Sequence, residues 1–186
     1  MLEELLSKLK EHESNWNKFT KLCKIISFPA KTTLLREGEI SKNIYFIREG
    51  CLRFWFNNEG KDITMQFFFE NQPVSGFLGR EPSICTLETI ESSTLAVLPI
   101  QDFYDLMNEI PYLKDFFLEF AIKRMEDYSK LFLSRIKDNP EKRYHELLKN
   151  NPMILQRIPQ HFIASYLGIT PVSLSRIRNR KNSFIS

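Results

Sequence analysis

The side chains best suited to binding chemistry lie in the last quarter of the chain, between Gln160 and Arg178. This stretch reads QHFIASYLGITPVSLSRIR, and its second half is rich in hydroxyl and guanidinium groups. Such groups donate hydrogen bonds to base edges and to phosphate oxygens, which makes DNA the predicted ligand. The candidate DNA-binding residues are Thr170, Pro171, Val172, Ser173, Ser175, Arg176, Arg178, Arg180 and Lys181.

Two short helical patterns on either side of Gly168 would hold these residues in place. Ile163, Ala164 and Leu167 share one face of the first pattern, and Leu174 lies on the inner face of the second. Glycine can adopt the left-handed conformation that a sharp turn requires. The small side chain of Ala164 allows the second helix to approach closely. This pattern predicts a helix-turn-helix, and the alternative is a helical hairpin in an ordinary helical domain.

The charge distribution favours nucleic acid as the partner. Residues 139–186 contain eight Lys and Arg but two acidic residues, a net charge of about +6. The whole chain carries +3, so the residues before 139 sum to about −3. A basic end on a slightly acidic body is an electrostatic footprint for DNA.

Composition argues against a membrane protein, a metal protein or an enzyme. The chain of 186 residues has no apolar run of the ~18 residues that a membrane helix needs. Its first residues lack the features of a signal peptide, so a cytoplasmic location is expected. Cys23, Cys51 and Cys85 are far apart in sequence and indicate free thiols rather than a disulfide or metal site. No catalytic residue, metal ligand or cofactor is predicted.

Between Cys23 and Pro99 the pattern changes to short runs rich in aromatic and β-branched residues, separated by turn signals. This spacing predicts an antiparallel sandwich, roll or barrel. Residues 52–56 are expected to pair with residues 44–47 across a Glu-Gly turn, and with residues 63–69 across an Asn-Glu-Gly turn. Alternation along residues 52–56 predicts that Arg53 points outward.

A long helical pattern begins at Pro111 and would be ~40 Å long at 1.5 Å per residue. Its apolar stripe is wide enough to contact two surfaces, which predicts a parallel homodimer through residues 111–138. The alternative is a helix buried within its own subunit. Asn139-Pro140 ends the pattern and is a candidate hinge. The predicted domains are residues 1–110, 111–138 and 139–186.

This order of elements resembles the Crp/Fnr family of bacterial transcription regulators. The stretch from Ile158 to Arg180 is similar to the DNA-binding signature of that family, and Leu34–Thr64 is similar to the first hairpins of its sensor domain. The resemblance implies an α+β fold. Its parts would be an N-terminal antiparallel β-roll (a double-stranded β-helix of the cyclic-nucleotide-binding type), a long dimerisation helix and a C-terminal helix-turn-helix of the winged-helix type.

The function that the resemblance implies is a homodimeric, sequence-specific regulator that binds double-stranded DNA. RNA polymerase is a further candidate partner. The effector is unknown. The alternative is a nucleotide or small-molecule sensor whose output is a protein partner.

The phosphate-binding segment departs from the members that bind cyclic AMP. Those members place a Gly-Glu pair and then an Arg-Ser or Arg-Thr pair in this segment. Pro73–Glu88 is shorter, lacks the Gly-Glu pair, and has Ser83 and Ile84 where the Arg-Ser pair is expected. A buried phosphate without its arginine is poorly compensated. Tight binding of cyclic AMP is therefore not expected.

The second helix of the helix-turn-helix also departs from those members, which use Arg and Glu at its start. Pro171 and Val172 occupy these positions, whereas Arg176 matches a later arginine. Val172 can contact a thymine methyl group, and Arg176 is the best candidate for reading a base. Arg178 and the two basic residues after it are expected to contact phosphates, the alternative being a solvated basic tail.

Overall fold

The computed structural model describes residues 2–182, with side-chain surroundings for residues 6–179. The chain divides into two compact units. The first comprises Met1–Phe54 and Phe67–Lys123, and the second comprises Trp55–Gln66 and Arg124–Ser186. The chain opens with two helices, α1 (Leu2–Lys10) and α2 (Glu13–Leu22).

Eight short strands follow among the described residues, in two antiparallel sheets. They are β1 (Lys24–Phe28), β2 (Thr33–Leu35), β3 (Asn43–Glu49), β4 (Leu52–Asn58), β5 (Lys61–Phe68), β6 (Pro73–Val74), β7 (Thr86–Thr89) and β8 (Ser93–Pro99). The first sheet has the order β1-β8-β3-β6, and the second has the order β2-β7-β4-β5. Apart from β4 and β5, strands that follow each other in the chain lie in different sheets, which is the topology of a roll and confirms the predicted antiparallel β class.

The predicted pairing of residues 44–47 with residues 52–56 is wrong. β3 and β4 lie in different sheets, and β3 pairs with β8 and β6 instead. Gly50 turns the chain between the sheets with φ +105°, and a Cβ there would lie 2.6 Å from the Ser93 Cβ. The chain passes from the first sheet to the second at a position where only glycine fits, so this Glu-Gly pair does not form a hairpin turn.

The second predicted hairpin is confirmed, because β4 and β5 are neighbours in the second sheet. Glu59 and Gly60 at its tip have φ values of 52° and 83°. Positive φ at both central positions is what a two-residue type I′ turn requires. The Asn57 side chain accepts a hydrogen bond of 2.9 Å from the Gly60 N–H.

Alternate residues of β3 face two different apolar layers. The Tyr45 hydroxyl donates to the Leu34 carbonyl in β2 of the other sheet, so Tyr45 points between the two sheets. Phe46, with the opposite orientation, packs with Leu9 and Phe19 of the N-terminal helices. The strand β3 is therefore covered on both faces, whereas most residues of the edge strand β1 are exposed.

Arg53 does not point outward as predicted, because its side chain is 3% exposed. Its Nε donates to Glu88 Oε1 of β7 at 2.7 Å, and this carboxylate compensates the buried charge. Leu52 and Phe54 on either side of it are buried as well. Where a strand is covered on both faces, alternation of residue types no longer separates inside from outside.

Six helices complete the described chain. They are α3 (Ile100–Glu109), α4 (Pro111–Lys137), α5 (Pro140–Asn150), α6 (Ile154–Arg157), α7 (Gln160–Leu167) and α8 (Pro171–Asn182). The break after α4 falls where Asn139-Pro140 was expected, and the Asn139 side chain caps α5 by accepting from the Lys142 N–H at 2.9 Å. Residues 139–182 form helices and turns without a strand, so a wing of the winged-helix type is not among the described elements.

Candidate nucleic-acid interface

The turn between α7 and α8 closes on Gly168, which has φ +68°. The Gly168 N–H donates to the Ser165 carbonyl and the Ile169 N–H donates to the Ala164 carbonyl, each at 3.0 Å. This pair of bonds is a Schellman motif, which ends a helix at a left-handed residue. The sequence prediction of a sharp turn at this glycine is confirmed.

Thr170 and Pro171 begin α8 in the way that their residue types suggest. The Thr170 hydroxyl accepts a hydrogen bond from the Ser173 N–H at 3.1 Å and contacts the Ser173 hydroxyl at 3.0 Å. Pro171 opens the helix, where a missing N–H costs nothing. Both Thr170 and Ser173 therefore stabilise the start of the helix, and their hydroxyl groups are already engaged.

Buried apolar side chains fix the angle of α8. Leu174 is fully buried, as are Ile163 and Leu167 of α7, and the small Ala164 is 1% exposed. Tyr144 and Leu147 of α5 and Ile154 of α6 are buried as well. Because one face of α8 is anchored, the opposite face is held at a defined orientation for a ligand.

The exposed face of α8 carries three of the predicted DNA-binding residues. Val172 is 61% exposed, and Ser175 and Arg176 are exposed as well. Asn179 is also exposed and lies seven residues after Val172, so it shares this face. We call these four residues the α8 face. Asn179 was missed by the sequence analysis, although its helical spacing from Val172 and Arg176 places it there.

Arg178, Arg180 and Lys181 differ from the residues of the α8 face. Arg178 is half-buried and lies near the Tyr144 hydroxyl. Burial raises the pKa of Tyr144, and the positive charge of Arg178 opposes this rise. The side chains of Arg180 and Lys181 lie outside the described part of the structure. Their positions on α8 remain consistent with phosphate contacts, which stay a prediction.

Two basic residues of the C-terminal segment make internal contacts instead of forming a free basic surface. Arg143 donates to the Leu167 carbonyl at 2.6 Å and to the Arg135 carbonyl at 3.2 Å, so it caps the ends of α7 and α4. Lys142 forms an ion pair of 2.7 Å with Asp138. The net charge of +6 therefore overstates the number of cations available to phosphates.

The tip of the β4–β5 hairpin contacts α7 within the second unit. The Ser165 hydroxyl accepts from the Thr64 N–H at 2.9 Å and donates to the Asp62 carbonyl at 2.7 Å. Arg135 of α4 donates to the Met65 carbonyl at 3.3 Å, and its guanidinium lies 5.2 Å from the centre of the Tyr166 ring. These contacts hold α7, and through it α8, against the hairpin.

The exposed side of α4 carries a repeating apolar stripe. It consists of Leu118, Ile122, Met125, Phe132 and Ile136, with Ser129 between Met125 and Phe132. The intervals alternate between four and three residues, which is the heptad spacing of a coiled-coil seam. Three of these side chains are more than 60% exposed, namely Met125 at 65%, Phe132 at 64% and Ile136 at 68%. We call this set the α4 stripe.

The segment at the position expected to bind a nucleotide phosphate is occupied by its own contacts. The buried Ser83 hydroxyl donates to the Cys85 carbonyl at 2.6 Å, and Ile84 is 62% exposed. Arg80 lies over the Tyr104 ring at 5.9 Å and donates to its hydroxyl at 3.3 Å. Ser83 and Ile84 carry no positive charge that could pair with a phosphate, and the Arg80 guanidinium contacts Tyr104.

The described residues hold no group of three or more His, Cys, Asp and Glu side chains that could bind a metal ion. None of the helices in the described part of the chain is long and apolar enough to cross a membrane.

Comparison with protein families finds a match over the part of the chain that contains the eight strands. Residues 25–110 match the family model of the cyclic nucleotide-binding domain. No curated protein sequence matches the chain.

Solved structures with a similar fold cover almost the whole chain. FixK2 from Bradyrhizobium japonicum has a TM-score of 0.76 and 14% identity, over 87% of this chain and 85% of its own. The c-di-GMP-responsive global regulator CLP from Xanthomonas campestris has a TM-score of 0.71 and 13% identity, over 90% of both chains. A regulator assigned to the crp/fnr family from Eubacterium rectale has a TM-score of 0.73 and 16% identity, over 92% and 84%. Residues 25–110 are thus similar to a cyclic nucleotide-binding domain, and the chain has the fold seen in solved Crp/Fnr-type transcription regulators.

Proposed function

We propose that the protein is a sequence-specific, homodimeric DNA-binding transcription regulator of the Crp/Fnr type. The observation that carries this proposal is the α8 face, on which Val172, Ser175 and Arg176 are exposed while Leu174 is fully buried. A helix anchored on one side and polar on the other suits the major groove.

The chemistry of the α8 face favours direct reading of bases. Arg176 can donate two hydrogen bonds to O6 and N7 of one guanine, Val172 can contact a thymine methyl group, and Ser175 can bond to either kind of base. The hydroxyl groups of Thr170 and Ser173 are engaged in the helix cap, so their proposed part is to position the helix and its N-terminal N–H groups near a phosphate. Pro171 also lies at this end.

We propose that the α4 stripe is the dimer contact within residues 111–138. Ile122 and Ile136 recur at one seam position and Leu118 occurs at the other, and β-branched and leucine residues in this order favour two parallel strands. Two copies of α8 would then face one duplex about 34 Å apart, which predicts a two-fold symmetric site.

In this proposal residues 1–110 form a sensor and residues 139–186 bind DNA. The protein would act without catalysis in the cytoplasm, with RNA polymerase as a further partner. We also propose that cyclic AMP is not a tight ligand. Phe54 and Phe68 pack edge to face at 5.1 Å in the buried part of the roll, and Ser83 and Ile84 stand about where the phosphate-binding Arg-Ser pair would be needed. Calorimetric titration with cyclic AMP tests this, and binding at micromolar concentration would contradict it.

Selection of binding sites from random DNA, followed by fluorescence anisotropy with the selected duplex, tests the main proposal. Arg176→Ala should weaken binding about 10- to 100-fold and relax discrimination at one base pair. Arg180→Ala should weaken all DNA similarly and reduce the salt slope by about one. Arg36→Ala removes the same charge from an exposed position in the first unit and serves as the control.

Two outcomes would argue against DNA reading by the α8 face. The first is that no sequence is enriched from the random pool. The second is that Arg176→Ala behaves like Arg36→Ala on the enriched site. Either result would leave a sensor with a protein partner as the better explanation of the fold.

A further inference from the structure

A cavity lies on the helix-facing side of the first sheet, away from the space between the two sheets. Tyr45 points between the sheets, so the next residue, Phe46, has the opposite orientation. Ile25, Ala96 and Phe46 are aligned across β1, β8 and β3 in the register of the sheet. These three residues form the floor of the cavity, and α2 forms a wall.

The size and lining of the cavity suit a small apolar ring. Its volume is about 160 Å³, and it is lined by Leu6, Phe19, Thr20, Cys23, Ile25, Phe46, Arg48 and Ala96. The cavity opens to solvent on one side, because Ile25 and Arg48 in its lining are exposed. Its volume is close to the roughly 150 Å³ of an apolar cavity that accepts benzene. The body of a matching ligand is therefore a six-membered ring or a branched alkyl group of similar size.

Arg48 gives this cavity its chemical preference. It is the extra residue of a β-bulge, because Ile47 is paired with Leu95 and Glu49 with Thr94. A bulge redirects a side chain, and Arg48 lines the cavity while being exposed. Among the described residues, no carboxylate lies within ion-pair distance of its guanidinium.

The other polar groups of the lining do not favour a ligand of a different charge. The Thr20 hydroxyl donates back to the Trp16 and Asn17 carbonyls of its own helix, at 3.0 and 3.1 Å. Burial raises the pKa of the Cys23 thiol to about 11, so this group is neutral near pH 7. The guanidinium is thus the one charged group among the described lining residues, and it favours an anion.

We propose that this cavity binds a small monocarboxylate, with an aromatic or branched alkyl body among Phe19, Phe46 and Ala96 and its carboxylate on Arg48. A guanidinium pairs with a carboxylate through two parallel hydrogen bonds. The site lies outside the space where a cyclic nucleotide would bind. It belongs wholly to the first unit, and it does not depend on whether the chain binds DNA.

Three probes of one shape and different charge test the proposal on the full chain: benzoate, benzyl alcohol and benzylamine. A ligand held by the folded chain raises its melting temperature, which titration up to about 10 mM would detect. We expect the rise to be largest for benzoate, smaller for benzyl alcohol and smallest for benzylamine. Arg48→Gln should weaken benzoate binding about tenfold and leave benzyl alcohol unchanged. Arg36→Gln should change neither.

Two further measurements keep the test independent of any single variant. Ala96→Leu fills the cavity floor and should abolish the shifts from all three probes. Bound benzoate should slow alkylation of Cys23 while leaving the rate at Cys85 unchanged, which mass spectrometry resolves. Equal shifts from all three probes, benzoate binding unaffected by Arg48→Gln, or no protection of Cys23 would each overturn the proposal.

Discussion

Truncation of one side chain on the α4 stripe offers the most direct test of the proposed dimer. Phe132 is 64% exposed in the single chain although it is a large aromatic residue. Phe132→Ala removes the ring but keeps a good helix former, so α4 itself should remain intact. The expected result is a weaker dimer with an unchanged content of secondary structure.

The size of the effect follows from the exposed area. A phenylalanine buries roughly 150–250 Å² when fully covered, so the 64% that is exposed corresponds to about 100–150 Å². Two symmetric copies would bury about 200–300 Å², or about 5–7 kcal/mol at ~25 cal/mol per Å². Because a helix seam covers a side chain incompletely, about half of this, ~3 kcal/mol, is expected. That corresponds to an increase of about 150-fold in the dimer dissociation constant.

Sedimentation equilibrium over a wide range of protein concentrations measures this constant. Lys130→Ala is the matched control, because Lys130 lies on the same helix, is exposed and is not part of the α4 stripe. The control should leave the constant within about twofold of the original. Two results would refute the assignment of this stripe to the dimer. One is that the protein without any substitution is a monomer, and the other is that Phe132→Ala and Lys130→Ala have equal dimer dissociation constants.

Three further predictions concern the parts that support the site. Gly168→Ala should lower the stability of the C-terminal helices by about 1 kcal/mol in a thermal melt, since φ is +68° and no atom lies within 4 Å of the added Cβ; an unchanged melt would contradict this. Ser165→Ala should speed hydrogen exchange at the Thr64 amide, which loses its 2.9 Å acceptor, whereas Ser165→Thr keeps a hydroxyl as control. Alkylation of Cys23 should be slow at pH 8 and accelerate as pH rises toward its pKa of about 11, because the thiolate is the nucleophile; a fast reaction at pH 8 would disprove the shift.

Two predictions were wrong, the hairpin turn at Gly50 and the outward orientation of Arg53, and both have the same physical origin. Turn residues report that the chain reverses, but they do not report whether the next strand stays in the same sheet. Long-range pairing decides that β3 lies beside β8, with Phe46 opposite Ala96. It also decides that the chain passes from one sheet to the other at Gly50. Once β4 is covered on both faces, a buried arginine is stable provided that Glu88 lies beside it. That partner is 35 residues away, and no local pattern reveals it.

The two helices α7 and α8 and the turn between them were more predictable because their determinants are local. Gly168, Thr170 and Pro171 each act through hydrogen bonds within a few residues, and those bonds are present. What the sequence could not separate was which polar residues remain available to a ligand. Ser173 looked like a base-contacting donor, yet its hydroxyl lies 3.0 Å from the Thr170 hydroxyl. Asn179 was passed over although it shares the exposed side of the helix.

In the long helix α4, apolar residues that look alike in sequence differ in how far they are buried. Leu113 near its start is 7% exposed and belongs to the core of the first unit, whereas Met125 and Ile136 further along are 65% and 68% exposed. One continuous apolar pattern therefore contains a part that is satisfied within the chain and a part that is not. A row of exposed large side chains at heptad spacing is costly in water unless another surface covers it. The second part has the repeat expected of a helix that pairs with its own copy, so the proposed dimer would account for a pattern that continues beyond the residues that the first unit needs.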